Sequence, residues 1–120
     1  MKSRYLRTKL TALSRIRGVL TCVLVDAETG LIWETSDAVD LPDAVAETAS
    51  DFWRLYQRLR PTFADMGTLQ SIVLQHDRRE LRLTACGRGV VLLTVTLAGT
   101  PVDEALLARK AGELGDLVER

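Results

Sequence analysis

Apolar residues recur along this chain in two alternating rhythms. Leu6, Leu10, Leu13 and Ile16 follow one another at steps of four, three and three, the stripe of an amphipathic helix, and Gly18 stands where such a helix would end. From Val19–Asp26 the rhythm changes: Val19, Val23 and Val25 alternate with Leu20, Cys22 and Leu24. Both faces are apolar, so this segment reads as a central strand covered on both sides. The turn Glu28-Thr29-Gly30 then sends the chain back through residues 31–35 as a hairpin partner.

A loop over residues 37–42 follows, with Asp40 as a candidate N-cap and Pro42 near the first helical turn. Val45, Ala49, Phe52, Tyr56, Leu59 and Phe63 then repeat at steps of four and three, the longest helix signal in the chain. Pro61 ends or kinks that helix near Arg60. After a loop around residues 65–67, the period returns to two. In residues 69–76, Leu69 and Val73 share one face while Ile72 and Leu74 share the other. Asp77-Arg78 turns into Arg79–Ala85, where Leu81, Leu83 and Ala85 alternate with Glu80, Arg82 and Thr84, the mark of a half-solvated antiparallel strand. Gly87-Arg88-Gly89 turns again into the two-faced apolar run Val90–Leu97. Beyond Gly99-Thr100-Pro101, Leu106, Leu107, Leu114, Leu117 and Val118 mark a last helix. Gly112 and Gly115 each cost that helix about 1 kcal/mol against Ala, which predicts a short or broken element.

The predicted order is therefore α-β-β-α-β-β-β-α, an α+β fold. A five-stranded antiparallel sheet lies between one long helix on one face and the two terminal helices on the other, a profilin-like arrangement. With 120 residues and 47% hydrophobic content, the chain is expected to form one domain spanning residues 1–120.

Formal net charge is zero, which gives no argument for a nucleic-acid partner, but the charges are unevenly placed. Lys2, Arg4, Arg7, Lys9, Arg15 and Arg17 all precede the first acid, Asp26, whereas the last segment carries Asp103, Glu104, Glu113, Asp116 and Glu119 against Arg109, Lys110 and Arg120. Internal complementarity between the two terminal helices is the expectation; contact of the basic helix with anionic lipid or nucleic acid is the competing one. Cys22 and Cys86 sit singly on strand-like runs without CxxC spacing, which excludes a zinc-finger pattern and fits two reduced core thiols. No apolar run approaches the roughly 18 residues of a membrane helix, and the short run after the basic start ends on Asp26 without a cleavage pattern. A cytoplasmic protein with no membrane insertion is expected.

The residues that usually carry chemistry are sparse. His76, the one histidine, adjoins Asp77 at a predicted turn, with no nucleophile or base arrangement in sight. Gly87-Arg88-Gly89 lacks a third glycine and opens a strand rather than a helix, so it is a hairpin turn and not a phosphate cradle. No catalytic residue, metal ligand or cofactor site is assigned.

The leucine helix running into Ile16-Arg17-Gly18-Val19, the apolar strand ending at Asp26, Gly30 and Leu31-Ile32, together with three successive strands over residues 69–97, resemble the roadblock family. That family is named for a dynein light chain and is common in bacteria beside small GTPases. The resemblance covers nearly the whole chain and rests on structural residues. It implies a homodimer or heterodimer in which the long helix and the strand after it meet their counterparts, joining two sheets into one. It also implies a scaffold for small Ras-like GTPases, some members accelerating GTP hydrolysis by reshaping the GTPase's own site. No arginine finger belongs to the pattern, and none is carried over.

Positions matching that dimer surface lie on residues 52–60 and 69–75. On the helix they are Phe52, Trp53, Tyr56, Gln57 and Arg60; on the strand they are Leu69, Ser71, Ile72, Val73 and Gln75. Trp53, just off the seam of Val45, Ala49, Phe52 and Tyr56, is the expected aromatic anchor of the interface, with a tryptophan at the edge of the core as the competing reading. Arg54 and Arg58, like charges one turn apart, either meet an acidic partner or form a solvated face relieved by Asp51. The leading expectation is a non-catalytic dimeric scaffold or regulator of a small Ras-like GTPase. A small-molecule-sensing domain is the alternative; it needs a polar-lined cavity where the two-faced strands suggest a filled interior.

Overall fold

In the computed structural model, which describes residues 2–36 and 41–119, five strands and three α-helices follow in the predicted order. They are α1 (Lys2–Ser14), β1 (Val19–Asp26), β2 (Ile32–Thr35), α2 (Asp43–Leu59), β3 (Ser71–Gln75), β4 (Arg79–Ala85), β5 (Val90–Leu97) and α3 (Glu104–Val118). The strands pair antiparallel throughout, in the order β2-β1-β5-β4-β3. The two-faced strands β1 and β5 lie at the centre, as their composition requires. The short β2 and the β3 strand form the two edges.

Two apolar clusters sandwich the sheet. Leu6, Leu10 and Leu13 of α1 and Leu107, Ala111 and Leu114 of α3 bury against Cys22, Leu24 and Leu92. On the opposite face, Ala46, Ala49 and Trp53 of α2 bury against Val23, Val25, Leu83, Val91 and Leu93. The sulfur of Cys22 donates to the carbonyl of Leu10 at 3.1 Å and that of Cys86 to the carbonyl of Ala111 at 3.3 Å, so both thiols are buried core residues.

Turn chemistry fixes the hairpin that opens the sheet. Asp26 Oδ1 accepts from the backbone N–H groups of Glu28 and Thr29 at 2.8 and 3.1 Å. Gly30 has φ +78°, and a Cβ there would come within 2.9 Å of the Glu47 backbone, so α2 can lie directly on this turn. Arg54 locks the contact, donating to the carbonyls of Ala27 and Glu28 at 2.8 Å each and pairing with Asp51. Arg54 thus serves the fold of its own chain, while Arg58 is exposed at the helix surface.

Several sequence expectations need correction. α1 stops at Ser14, before Gly18, and a turn spans the gap. Val19 lies with Cys22 and Leu24, not with Val23 and Val25, because a bulge between Val19 and Thr21 reverses the alternation. Beyond α2 the chain continues as a 3₁₀ helix, Arg60–Met66, so the loop expected around residues 65–67 begins only at Gly67. Leu69 precedes β3 and packs with Ile72 and Leu74 on the α2 side, so it does not share a face with Val73. The N-cap position of α2 falls on Pro42, which supplies no side-chain acceptor; Asp40 lies outside the described residues.

The last helix is continuous over 15 residues despite its two glycines. Asp103 caps it, its side chain accepting from Leu106 N–H at 3.0 Å. The expected solvated face of β4 is in fact covered by this helix. Arg82 is buried, its Nε 2.9 Å from Glu104 Oε1, its Nη2 3.0 Å from Glu80 Oε1, and its Nη1 bonded to Thr96 Oγ1. α1 and α3 pack side by side, yet no ion pair among the described residues joins them; Arg7 of α1 pairs instead with Glu34 of β2 at 3.0 Å. Direct pairing between the terminal helices, the sequence expectation, is therefore not what neutralises the basic helix.

Candidate protein–protein interface

Two apolar stripes run along α2. The inner one is Ala46, Ala49, Ser50 and Trp53, four buried residues at helical spacing. The small side chains let the helix approach the sheet closely, and Trp53, 8% exposed, fills the space beside Leu83 and Val91. The outer stripe is Val45, Phe52, Leu55 and Leu59, each between 36% and 45% exposed, with Tyr56 at its margin. On a 3.6-residue helix its centre stands roughly 130° from that of the inner stripe. Here the structure overturns the sequence reading of the seam. Of Val45, Ala49, Phe52, Tyr56 and Leu59, only Ala49 belongs to the buried face.

The aromatic expected to reach outward therefore points inward. Trp53 is a core residue, and its neighbour Phe52 is the exposed aromatic. Tyr56 stacks on Phe63 of the 3₁₀ helix, with ring centroids 5.2 Å apart and planes 15° from parallel. Gln57 is half-buried and accepts from Arg60 Nη1 at 3.3 Å at the helix end.

The outer stripe overlooks β3. Among the described residues that strand pairs with β4 alone, and its other edge is open. Ile72 and Leu74 turn toward the α2-side core, while Ser71, Val73 and Gln75 are exposed, Gln75 donating to Glu80 at 3.2 Å. Between α2 and β3 lies an open cleft of about 520 Å³, walled by Val45, Ala49, Phe52, Val73, Leu74 and Leu81, with His76 at one end. His76 is an exposed turn residue whose backbone N–H donates to the carbonyl of Arg79, as its sequence context predicts.

The ten sequence-assigned positions thus separate. Phe52, Ser71, Val73 and Gln75 border one continuous surface, with Tyr56, Gln57 and Arg60 toward its C-terminal end. Ile72 and Leu69 support it from the core side, and Trp53 lies beneath. Val45, Leu55 and Leu59, which belong to the same surface, lie outside that assignment because the strongest apolar stripe of a helix is ordinarily its core face. The signal that marks the difference is the parallel run of small residues, Ala46, Ala49 and Ser50, which seats the helix on its own sheet.

Among the described residues no group of three or more His, Cys, Asp and Glu side chains is placed to hold a metal. No helix among them is long and apolar enough to cross a membrane.

Comparison with known proteins agrees with this architecture. The model of the Roadblock/LC7 domain matches residues 7–96. The gliding protein MglB from Thermus thermophilus superposes with a TM-score of 0.82 at 20% identity, covering 98% of this chain and 91% of that one. A Roadblock/LC7 domain from Streptomyces avermitilis gives a TM-score of 0.73 at 24% identity, covering 96% and 92%. Profilin from Schizosaccharomyces pombe gives 0.59 at 13% identity, covering 99% and 97%, and bears out the profilin-like fold. Among curated protein sequences no match is found. The chain belongs to the Roadblock/LC7 domain family.

Proposed function

We propose that this Roadblock/LC7 chain is a non-catalytic, cytoplasmic scaffold that forms a homodimer and regulates a small Ras-like GTPase. The observation that carries the reading is the outer stripe of α2 beside the open edge of β3. An exposed row of Val45, Phe52, Leu55 and Leu59 is a liability on a solitary chain, and so is an unpaired strand edge. A second copy meets both needs at once. Pairing β3 with its counterpart continues the sheet, and the two α2 helices then lie side by side over the seam, with large side chains available to fill the 520 Å³ cleft. The GTPase part of this reading is supported by family membership. The role proposed is therefore to hold or reshape a GTPase that carries its own catalytic residues.

Two measurements test this. Light scattering at micromolar concentration should give the mass of a dimer; a monomer removes the basis of the scaffold. Capture of the source-cell lysate on the immobilised protein, in the presence of GTP or GDP analogues, should retain a small GTPase. A hydrolysis assay with that GTPase then separates a stimulator from a passive holder. Failure to retain any GTPase in either nucleotide state would overturn the partner assignment.

A further inference from the structure

The most one-sided charge distribution in the molecule lies on the layer opposite the proposed dimer helix. Arg4, Arg7, Lys9, Arg15 and Arg17 all precede the first carboxylate, Asp26, although the whole chain has a formal net charge of zero. All but the half-buried Lys9 are exposed. Of these five cations, only Arg7 has a carboxylate partner among the described residues, Glu34. The neighbouring helix does little to cancel the rest. On α3, Glu104 is held by Arg82, Glu113 lies 3.4 Å from Lys110, and Glu119 accepts from the backbone of Arg88. Asp116 and Arg109 add one charge of each sign to the same helix.

The apolar stripe of α1 is already occupied by the core, since Leu6, Leu10 and Leu13 are buried. The helix therefore cannot insert into an apolar medium, and any contact must be with its outer face. Tyr5, 55% exposed with Lys9 Nζ 5.6 Å from its ring centroid, adds an amphipathic ring beside the cations. We propose that the outer face of α1, with Arg15 and Arg17, is an electrostatic docking surface for an anionic lipid bilayer.

The shape of the proposed dimer favours a plane over a groove, a step that rests on the dimer reading above. If two sheets join through β3, their common axis is perpendicular to the sheet, and both α1/α3 layers face the same way. Each α1 lies over β1 and β2, remote from the seam, so two separated basic ridges stand on one broad side. A flat anionic surface engages both ridges together, with the gain in avidity that two linked sites bring. A nucleic-acid duplex would meet one ridge.

The test is vesicle flotation of the full chain, with light scattering on the same samples. Vesicles of equimolar phosphatidylcholine and phosphatidylglycerol should carry the protein at low salt and release it at high salt, and pure phosphatidylcholine vesicles should not carry it. The triple variant R4A/R15A/R17A, altered only at exposed positions, should bind roughly a hundredfold more weakly, about fivefold for each arginine removed. The control R78A/R79A, which removes charge from the β3–β4 turn, should float as the parent does. Absence of flotation, equal binding to pure phosphatidylcholine, or equal weakening by the control overturns the proposal. So does retention on duplex DNA without flotation. A dimer that fails to float removes the lipid surface alone, whereas a monomer that floats removes the dimer alone.

Discussion

Phe52 and Trp53 are consecutive residues of α2 that face different surroundings: Trp53 is 8% exposed against the sheet, and Phe52 is 43% exposed above the open edge of β3. Opposite outcomes follow from changing each. Trp53→Ala should destabilise the fold by about 3 to 5 kcal/mol, the range for emptying a buried aromatic site. Phe52→Glu should leave the thermal midpoint close to that of the parent while converting dimer to monomer. Circular dichroism melts and light scattering on both variants check the pair. A stable Trp53→Ala variant that is monomeric would reverse the assignment.

The strand edge permits a second test of the same surface. Val73 is 40% exposed on β3, and a lysine there is one device by which edge strands resist pairing. Val73→Lys should weaken self-association with little change in stability, since no buried contact is lost. An unchanged dimer mass would place the seam elsewhere.

The order and central placement of the strands can be read from periodicity, because β1 and β5 carry Val, Leu and Cys on both faces and need cover on both. The orientation of α2 cannot. A helix's apolar periodicity follows the bulk of its side chains, and here Val45, Phe52, Leu55 and Leu59 face outward while Ala46, Ala49, Ser50 and Trp53 make the contact with the sheet. Leu69 escapes the pattern because alternation holds only within a strand and β3 begins at Ser71. The Glu80/Arg82/Thr84 face reads as solvated because charge ordinarily marks exposure. Burial of Arg82 depends on Glu104, a partner 22 residues away that no local pattern announces.

That buried arginine yields a third prediction. Arg82→Ala would leave Glu80, whose side chain is 16% exposed, without its cationic partner, and would detach the first turn of α3 from β4. Removing one member of such a buried pair costs about 3 kcal/mol or more. Urea denaturation should show the loss. Arg82→Lys should recover only part of it, because an ammonium cannot span Glu80, Glu104 and Thr96 in one fork. A variant as stable as the parent would show that the cluster contributes nothing net.

Burial pushes the thiols of both Cys22 and Cys86 up to about 12 from 9.0, Cys86 being raised further by the charge of Glu119. In the folded chain they should resist a maleimide at neutral pH and react only after denaturation. The same shifts link stability to alkaline pH. Above the unfolded value of 9.0 the open chain loses its thiol protons while the folded chain keeps them, so stability falls as pH rises from about 9 to about 12. The urea midpoint should therefore drop between about pH 8 and about pH 10. The double variant Cys22→Ala/Cys86→Ala should show a smaller drop, and an identical slope would contradict the linkage.

The two glycines of α3 are chemically alike in sequence and should respond oppositely to alanine. At Gly112 an added Cβ meets nothing within 4 Å, so Gly112→Ala keeps only the propensity gain of about 0.5 to 1 kcal/mol and should stabilise. At Gly115 the Cβ would lie 3.1 Å from the backbone nitrogen of Gly87 and 3.3 Å from the carbonyl carbon of Cys86. Those atoms belong to the β4–β5 turn, which has little room to retreat. The Cys86 N–H donates to the Val90 carbonyl at 3.1 Å, and the Arg88 N–H donates to Glu119 at 3.0 Å. Gly115→Ala should therefore lose more in packing than it gains in helix propensity, and its urea midpoint should fall below that of the parent. If both variants were equally stabilised, the close passage of α3 over the turn would have no energetic consequence, and the glycine there would be incidental.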